Sequence, residues 1–301
     1  MKVMKEKIKH FIQKKIKNLN DLSADYLVDR ISYVNRTEYL SNCALNCITP
    51  GISNDKYCDN DIIVSLTTYG RRFYDVYLAI ESIMQQSMKP NRIVLWLADE
   101  MKNENIPQVL RNQQNRGLEI RYCKDIRSYT KLIPSLKEFS SSAIITIDDD
   151  YLYHFDLIEN LVNAHRKNHN LIYCAWAYRI KLNKNKKFEK YAKWGKNPYY
   201  DISPLNFPRG VGGILYPPHC FSQEVFNEQV FTDICKYADD VWFKAMALLN
   251  GVMSQKIFTH NNLKNNNAQY TSLSLINIDN EMNDVQLKAV FDKYNLYDRL
   301  G

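Results

Sequence analysis

Residues 143–150 read AIITIDDD, a short run rich in β-formers that passes directly into three consecutive aspartates. Ser140, Ser141 and Ser142 bound the run upstream, so residues 143–147 are expected to form a short buried strand. Three carboxylates at its exit repel one another unless a cation, a ring of donors or open water offsets the charge. In an open α/β sheet ligands collect at the carboxyl ends of strands, which makes Asp148 and Asp150 candidates to hold a divalent cation that in turn holds phosphate. The alternative is a solvated turn in which Asp150 caps a helix from Phe155 onward.

Working outward, residues 61–68 (DIIVSLTT) repeat the buried-strand pattern and are followed by Tyr69, Gly70, Arg71 and Arg72. Phe73, Val76, Tyr77, Ile80, Ile83 and Met84 then recur at the 3.6-residue period, predicting a helix over 73–86 that Pro90 closes. Residues 92–97 (RIVLWL) give a strand leading to Asp99, and residues 118–123 another leading to Asp125. Strand, helix, strand, repeated, predicts an α/β fold with a Rossmann-like, mostly parallel central sheet and crossover helices. Thr67, Thr68, Asp99, Asp125, Asp148 and Asp150 would then gather at neighbouring strand ends.

Downstream, residues 208–218 (PRGVGGILYPP) place Gly210, Gly212 and Gly213 before an apolar segment. Glycines there allow close approach of a ligand or another backbone, and a structural bulge explains them equally well. The run lacks the G-K-[ST] of a phosphate loop. Asp239 and Asp240 precede a predicted helix over 241–250 that Gly251 ends, and either could cap it. A strand-like stretch, 252–258, is followed by His260, whereas His165 and His169 read as solvated positions of a polar helix. Trp176, Tyr178, Trp194, Tyr199, Tyr200 and Phe207 are sugar-stacking or core residues. Residues 181–190 read as a charged loop or hairpin tip, 261–267 as a polar loop, and 284–294 as a final helix.

The order VSLTTYGRR, AIESIMQQSMKPNRIVLWLAD, SYTKLIPSL, ITIDDD and a distal ADDVW resembles a glycosyltransferase of the A-type (GT-A) fold, close to the family 2 pattern. The resemblance spans residues 61–258, with the Asp triplet and the second acidic pair as its most specific parts. It implies a donor half, 61–150, and a smaller acceptor half, 151–260, flanked by an appendage at 21–60 and a terminal loop and helix at 261–301. It further implies that Thr67, Thr68, Tyr69 and Asp99 hold the nucleotide base and that Lys131 approaches the nucleotide or its phosphates. Arg71 and Asp149 join this donor-binding set. Asp148 would lie near the ribose and on the metal, and Asp150 on the metal, with His260 a further ligand by placement. In inverting relatives the acceptor's base is the Asp of a Glu-Asp pair. Asp240 is the aligned residue, but Asp239 stands where Glu is usual, so either of the two is a candidate. The implied cofactor is Mn²⁺ or Mg²⁺, the donor a nucleotide-diphosphate sugar with a UDP-sugar favoured, and the acceptor a glycan or lipid-linked glycan.

Composition adds bounds. At 301 residues the chain is long enough to bury a sizeable core. The formal net charge is +7, and residues 1–20 alone carry seven lysines and one glutamate. Met4, Ile8, Phe11, Ile12, Ile16 and Leu19 alternate with those lysines at helical spacing, predicting a basic amphipathic helix. Such a helix can lie on an anionic membrane surface, gaining roughly 1 kcal/mol per lysine, or pack on a partner. No nucleic-acid partner is expected. Lysines interrupt every apolar run, so 1–20 does not read as a signal peptide, and no segment approaches the ~20 apolar residues needed to span a bilayer. Seven cysteines without an export signal suggest reduced thiols and a cytoplasmic protein, peripheral on the membrane's inner face if residues 1–20 bind it. Cys43, Cys47 and Cys58 lack paired zinc-ligand spacing.

These features together predict a metal-dependent, inverting glycosyltransferase of surface-polysaccharide or lipid-linked oligosaccharide synthesis. A sugar-phosphate nucleotidyltransferase would carry a Gly-rich basic loop after the first strand, where this chain has the single Gly70. A non-catalytic carbohydrate- or membrane-binding protein of the same fold would have no need for both acidic clusters.

Overall fold

The structure is a computed structural model that describes residue 28 and residues 30–260, 262–264 and 282–301. The predicted amphipathic helix over 1–20 lies outside the described residues, as does most of the 261–267 loop. Helix α1 covers residues 30–46. It is followed by β1 (Ile62–Thr67), α2 (Val76–Met84), β2 (Arg92–Ala98), α3 (Gln108–Gln114), β3 (Leu118–Cys123), α4 (Ile133–Glu138) and β4 (Ala143–Thr146). Next come β5 (Tyr151–Leu152), α5 (Leu157–Lys167), β6 (Ile172–Cys174), β7 (Ala177–Arg179), β8 (Ile202–Ser203), β9 (Asn206–Pro208) and β10 (Ile214–Tyr216). The chain continues through α6 (Glu228–Ile234), α7 (Asp239–Leu249), β11 (Ser254–Lys256), β12 (Leu263–Lys264) and α8 (Met282–Lys293).

One eight-stranded sheet has the order β3-β2-β1-β4-β10-β6-β11-β8. β1 pairs in parallel with β2 and β4, β2 with β3, and β6 with β11. The exceptions are β10, antiparallel to both β4 and β6, and β8, antiparallel to β11. The mostly parallel sheet with crossover helices is therefore as the sequence predicts.

Side chains of β1 divide between the two faces, as a two-residue period requires. Ile62, Val64 and Leu66 bury into the apolar layer shared with α2 and α5. Ile63 packs with Val94, Trp96 and Phe139 on the other face. Ser65 on that second face is fully buried, and its hydroxyl donates to the Lys131 carbonyl at 2.6 Å and contacts the Ser135 hydroxyl at 2.8 Å. The Trp96 indole donates to the same Ser135 hydroxyl at 2.7 Å. This satisfied hydroxyl network fixes the turn that presents Lys131.

Several local expectations are corrected. The helix predicted over 73–86 is a 3₁₀ turn, Gly70–Tyr74, followed by the shorter α2. Asp150 caps no helix: α5 starts at Leu157 with Asp156 at its N-cap. Asp239 and Asp240 occupy the first turn of α7, and its N-cap is Ala238. Gly251, with φ +76°, closes α7 as predicted, its N–H donating to the Leu248 carbonyl. His165 is fully buried, because it shares a helix face with Leu157, Ile158, Leu161 and Val162, and burial pushes its imidazole down to about 4. Among the aromatics, Trp194 and Phe207 are core, and Tyr199 and Tyr200 are exposed.

α7 is buried on almost every side, and this includes Lys244, which is 5 % exposed and whose ammonium has no hydrogen-bond partner among the described residues. Burial pushes Lys244 down to about 7, with Cys174 opposing and Arg179 adding to the effect. A base held below its unfolded value near 10.5 favours folding above that value, and the contribution is lost as pH falls to about 7. Lys244→Met is accordingly expected to stabilise the protein by about 1–3 kcal/mol at pH 7, with a smaller gain at pH 10. Urea melts of the two proteins at both pH values check this, and a Met variant of lower stability at pH 7 would contradict it.

Candidate active site

The carboxyl ends of β1 and β4 and the first turn of α7 surround a cleft of about 700 Å³. On the β1 side Thr67 donates to the Trp96 carbonyl at 2.9 Å, and the Thr68 hydroxyl donates to Asp149 at 2.7 Å. The 3₁₀ turn after Tyr69 directs Arg72 inward, 2.9 Å from Asp149 and 3.7 Å from Asp150. Asp149 is thus consumed in holding the turn together, with its carboxyl raised by burial against the opposing pull of Arg72 and Thr68. The buried Tyr153 hydroxyl accepts the Asp148 N–H at 2.8 Å and fixes the backbone of the triplet from beneath.

Asp148 and Asp150 face the cleft. Asp148 lies 2.7 Å from the Lys131 ammonium, and Asp150 accepts no hydrogen bond among the described residues. Burial, then the neighbouring Asp148 charge, pushes Asp150 up to about 6, with Arg72 as the principal opposing charge. An under-compensated carboxylate beside a second one is a hard oxygen donor set, the kind that suits Mg²⁺ or Mn²⁺.

Across the cleft Asp240 receives the Gly210 N–H on both carboxylate oxygens at 3.1 Å. Burial and then Asp239 push it up to about 7, and Lys131 and Gly210 only partly offset them. Lys131, itself buried, also lies 3.1 Å from Asp239. Burial works against its charge, but Asp148, Asp239 and Asp240 outweigh it and hold the ammonium well above its ordinary value. One lysine therefore links the triplet to the acidic pair.

The structure brings Thr67, Thr68, Tyr69, Lys131, Asp148, Asp149, Asp150, Asp239 and Asp240 to this cleft. Three expected residues are placed elsewhere. Arg71 is exposed and its neighbour Arg72 takes the inward position, because the tight turn rotates successive side chains apart. Asp99 starts a 3₁₀ turn and pairs with Lys102 at 2.8 Å on the surface, while Asp125 lines the cleft and accepts the Arg127 N–H at 2.7 Å. His260 does not line the cleft: its Nδ1 lies 2.6 Å from Asp156, and the pairing of β12 with β5 delivers Lys264 instead. Arg72, Tyr153, Arg209, Tyr237 and Lys264 were not singled out from the sequence. Of these only Arg72 carried a local signal, as a basic residue just after a strand end.

Gly210 is tightly enclosed. A Cβ there would meet the Lys131 ammonium at 2.9 Å and Asp240 Oδ1 at 3.0 Å. Gly210→Ala is expected to leave the melting temperature nearly unchanged, since the lysine tip can move, yet to lower turnover about ten- to hundredfold by displacing both groups. Steady-state kinetics beside a thermal melt distinguish this from simple misfolding.

The model of glycosyl transferase family 2 matches residues 64–228, more than half of the chain. The chain belongs to glycosyl transferase family 2. The match includes the Asp triplet and ends before Asp239 and Asp240, which the cleft geometry joins to it. No curated protein matches the sequence. Among solved structures, the chain is similar to a mannosyltransferase, PcManGT from Pyrobaculum calidifontis, in complex with GDP-Man and Mn²⁺ (12 % identity, 90 % of this chain and 73 % of that one, TM-score 0.49). It is also similar to S. aureus TarS 1–349 (12 % identity, 66 % of this chain and 58 % of that one, TM-score 0.43). A third similar structure is CMP:2-keto-3-deoxy-manno-octonic acid synthetase complexed with CTP (11 % identity, 67 % of this chain and 91 % of that one, TM-score 0.41). This family 2 glycosyltransferase contains no helix long and apolar enough to cross a membrane among its described residues.

Proposed function

We propose that the enzyme transfers a sugar, with inversion, from a nucleotide-diphosphate donor to a hydroxyl of a glycan acceptor, using a divalent cation held by Asp148 and Asp150. The observation that carries this reading is that two acidic sites of different electrostatic character face one cleft across Lys131. Mn²⁺ or Mg²⁺, when bound, neutralises charge on the donor's diphosphate. Arg72, Arg127, Lys131, Arg209 and Lys264 supply positive charge around the same volume. Thr67, Thr68, Tyr69 and Asp125 line the β1 and β3 side, where the nucleotide would lie. Asp240 accepts the proton from the acceptor hydroxyl as its oxygen attacks the anomeric carbon and the bond to the diphosphate breaks. A carboxyl pushed up to about 7 suits this task, since a substantial share is ionised near neutral pH and the ionised form is basic enough to receive the proton. Asp239, committed to Lys131, holds the ammonium in place.

UDP is the favoured nucleotide, and a surface-polysaccharide or lipid-linked glycan the favoured acceptor. The lysine-rich residues 1–20 support the lipid-linked form through contact with an anionic membrane. The test is a thermal-shift panel of UDP, GDP and CDP and their sugars, each with and without Mn²⁺. One nucleotide is expected to stabilise the protein only when metal is present, by about 2.7 kcal/mol at a hundred times its dissociation constant. Stabilisation by a nucleoside triphosphate together with a sugar phosphate, and by no nucleotide sugar, would replace this reading with nucleotidyl transfer. Absence of any nucleotide effect would overturn both.

A further inference from the structure

We propose that His154, Asp156 and His260 form a second metal site, distinct from the Asp148–Asp150 cleft, that takes a borderline transition-metal dication such as Zn²⁺ and clasps β12 to the body of the protein. The three residues come from two segments 104 positions apart, and their ligand atoms all lie within 4.8 Å of one another. Asp156 stands at the N-cap of α5, where a carboxylate ordinarily accepts an amide of the first turn. It makes no such bond. Its two oxygens turn instead to two imidazoles, Oδ1 2.5 Å from His154 Nδ1 and Oδ2 2.6 Å from His260 Nδ1.

Two imidazole nitrogens and one carboxylate form the donor set of an open, three-ligand zinc site, whereas Mg²⁺ and Ca²⁺ require mainly oxygen. The arrangement leaves room for water as a fourth ligand: the Asp156 side chain is sheltered at 15 % exposure, and that of His260 is 56 % exposed. The imidazole rings lie 4.3 Å apart at 32°, so both can turn a nitrogen toward one point. Metal–ligand distances of about 2.0–2.2 Å would open each N···O contact to roughly 3 Å, a movement of a few tenths of an ångström per side chain. None of the three residues lines the cleft.

The site lies at the root of a segment that reaches the cleft. The His154 N–H donates to the Asn262 side chain at 3.0 Å, and that amide donates to the Gly212 carbonyl at 3.2 Å. Leu263 and Lys264 then pair with Leu152 and Tyr151, which places Lys264 on the cleft wall. A metal on the two histidines and Asp156 therefore fixes the strand that positions a cleft cation, with no part in the chemistry.

The experiment is titration of chelator-treated full-length protein with Co²⁺ alone, read by its visible d–d absorption and by thermal shift, with Zn²⁺ as competitor. Wild type and Asp150→Asn are both expected to show the absorption, and Zn²⁺ to abolish it. His260→Ala, at a half-exposed position and with folding checked by its metal-free melt, is expected to weaken uptake at least about tenfold, and His154→Asn to do the same. Absence of the absorption in wild type, or its loss in Asp150→Asn and persistence in His260→Ala, would overturn the proposal.

Discussion

Asp240→Asn is expected to lower turnover by about 10²–10⁴-fold while leaving nucleotide affinity in the presence of Mn²⁺ close to wild type. The amide is nearly isosteric, and its oxygen can still accept the Gly210 N–H that holds the native carboxylate at 3.1 Å. It cannot take a proton from an attacking hydroxyl. The same substitution should remove the acid limb of the pH profile. With Asp240 pushed up to about 7, the wild-type base is protonated and lost as pH falls through that value, so kcat/KM should rise about tenfold per pH unit below 7 and level above it. Asp239→Asn provides the contrast. Asp239 contacts Lys131 at 3.1 Å, so its loss should raise KM for the donor more than it lowers kcat. An Asp240→Asn enzyme that transfers at near the native rate, with the acid limb intact, would remove Asp240 from the chemistry and leave Asp239 as the base.

Asp150→Asn is expected to have a second large effect, of a different kind. Loss of the cation's stabilisation of the departing diphosphate, worth several kcal/mol, should cut turnover by at least about 10²-fold and abolish the metal-dependent part of nucleotide binding. The metal-free protein should at the same time become more stable at pH 8. Burial and Asp148 push Asp150 up to about 6, and a carboxyl raised in the folded state favours folding below its unfolded value near 4 and loses that contribution as pH rises through 6. Asn never ionises, so the variant escapes the loss. Melting curves of metal-free wild type and variant at pH 4 and pH 8 should converge at the lower pH and separate at the higher one. A variant that melts lower at pH 8 and still shows a Mn²⁺-dependent nucleotide shift would contradict the assignment of Asp150 to the metal.

β1, β2 and β4 were legible because each is a run rich in Ile, Val or Leu ending in polar residues, β3 because Leu118, Ile120 and Tyr122 alternate with Glu119 and Arg121, and the Asp triplet because nothing else in the chain concentrates charge so closely. Much of the acceptor side was not. β10 is three residues long, its preceding glycines fit a bulge equally well, and its antiparallel pairing joins residues near 215 to residues near 145, which no local pattern encodes. The choice of Arg71 over Arg72 failed for want of one turn angle. Asp99 was set aside by a surface partner three residues away, Lys102. His260 was displaced by the register of β12 on β5, and His165 by a helix face whose apolar period runs on through it. Tyr153 was invisible because its role is to accept a backbone amide, and a lone tyrosine after a strand carries no sign of that.

The place of β10 between β4 and β6 also bears on how the chain is made. A ribosome delivers β1 to β4 as a contiguous parallel set, already able to bury Ile62, Val64 and Ile145, while the outer edge of β4 waits for a partner some seventy residues away. During that interval the unpaired amides of Ile144 and Thr146, which point away from β1, present a template to any other nascent chain. Closure of the sheet is thus a late event with high contact order, and slow synthesis across residues 150–216 prolongs the hazard. A chain stopped near residue 150 is expected to aggregate rather than to persist as a free nucleotide-binding half.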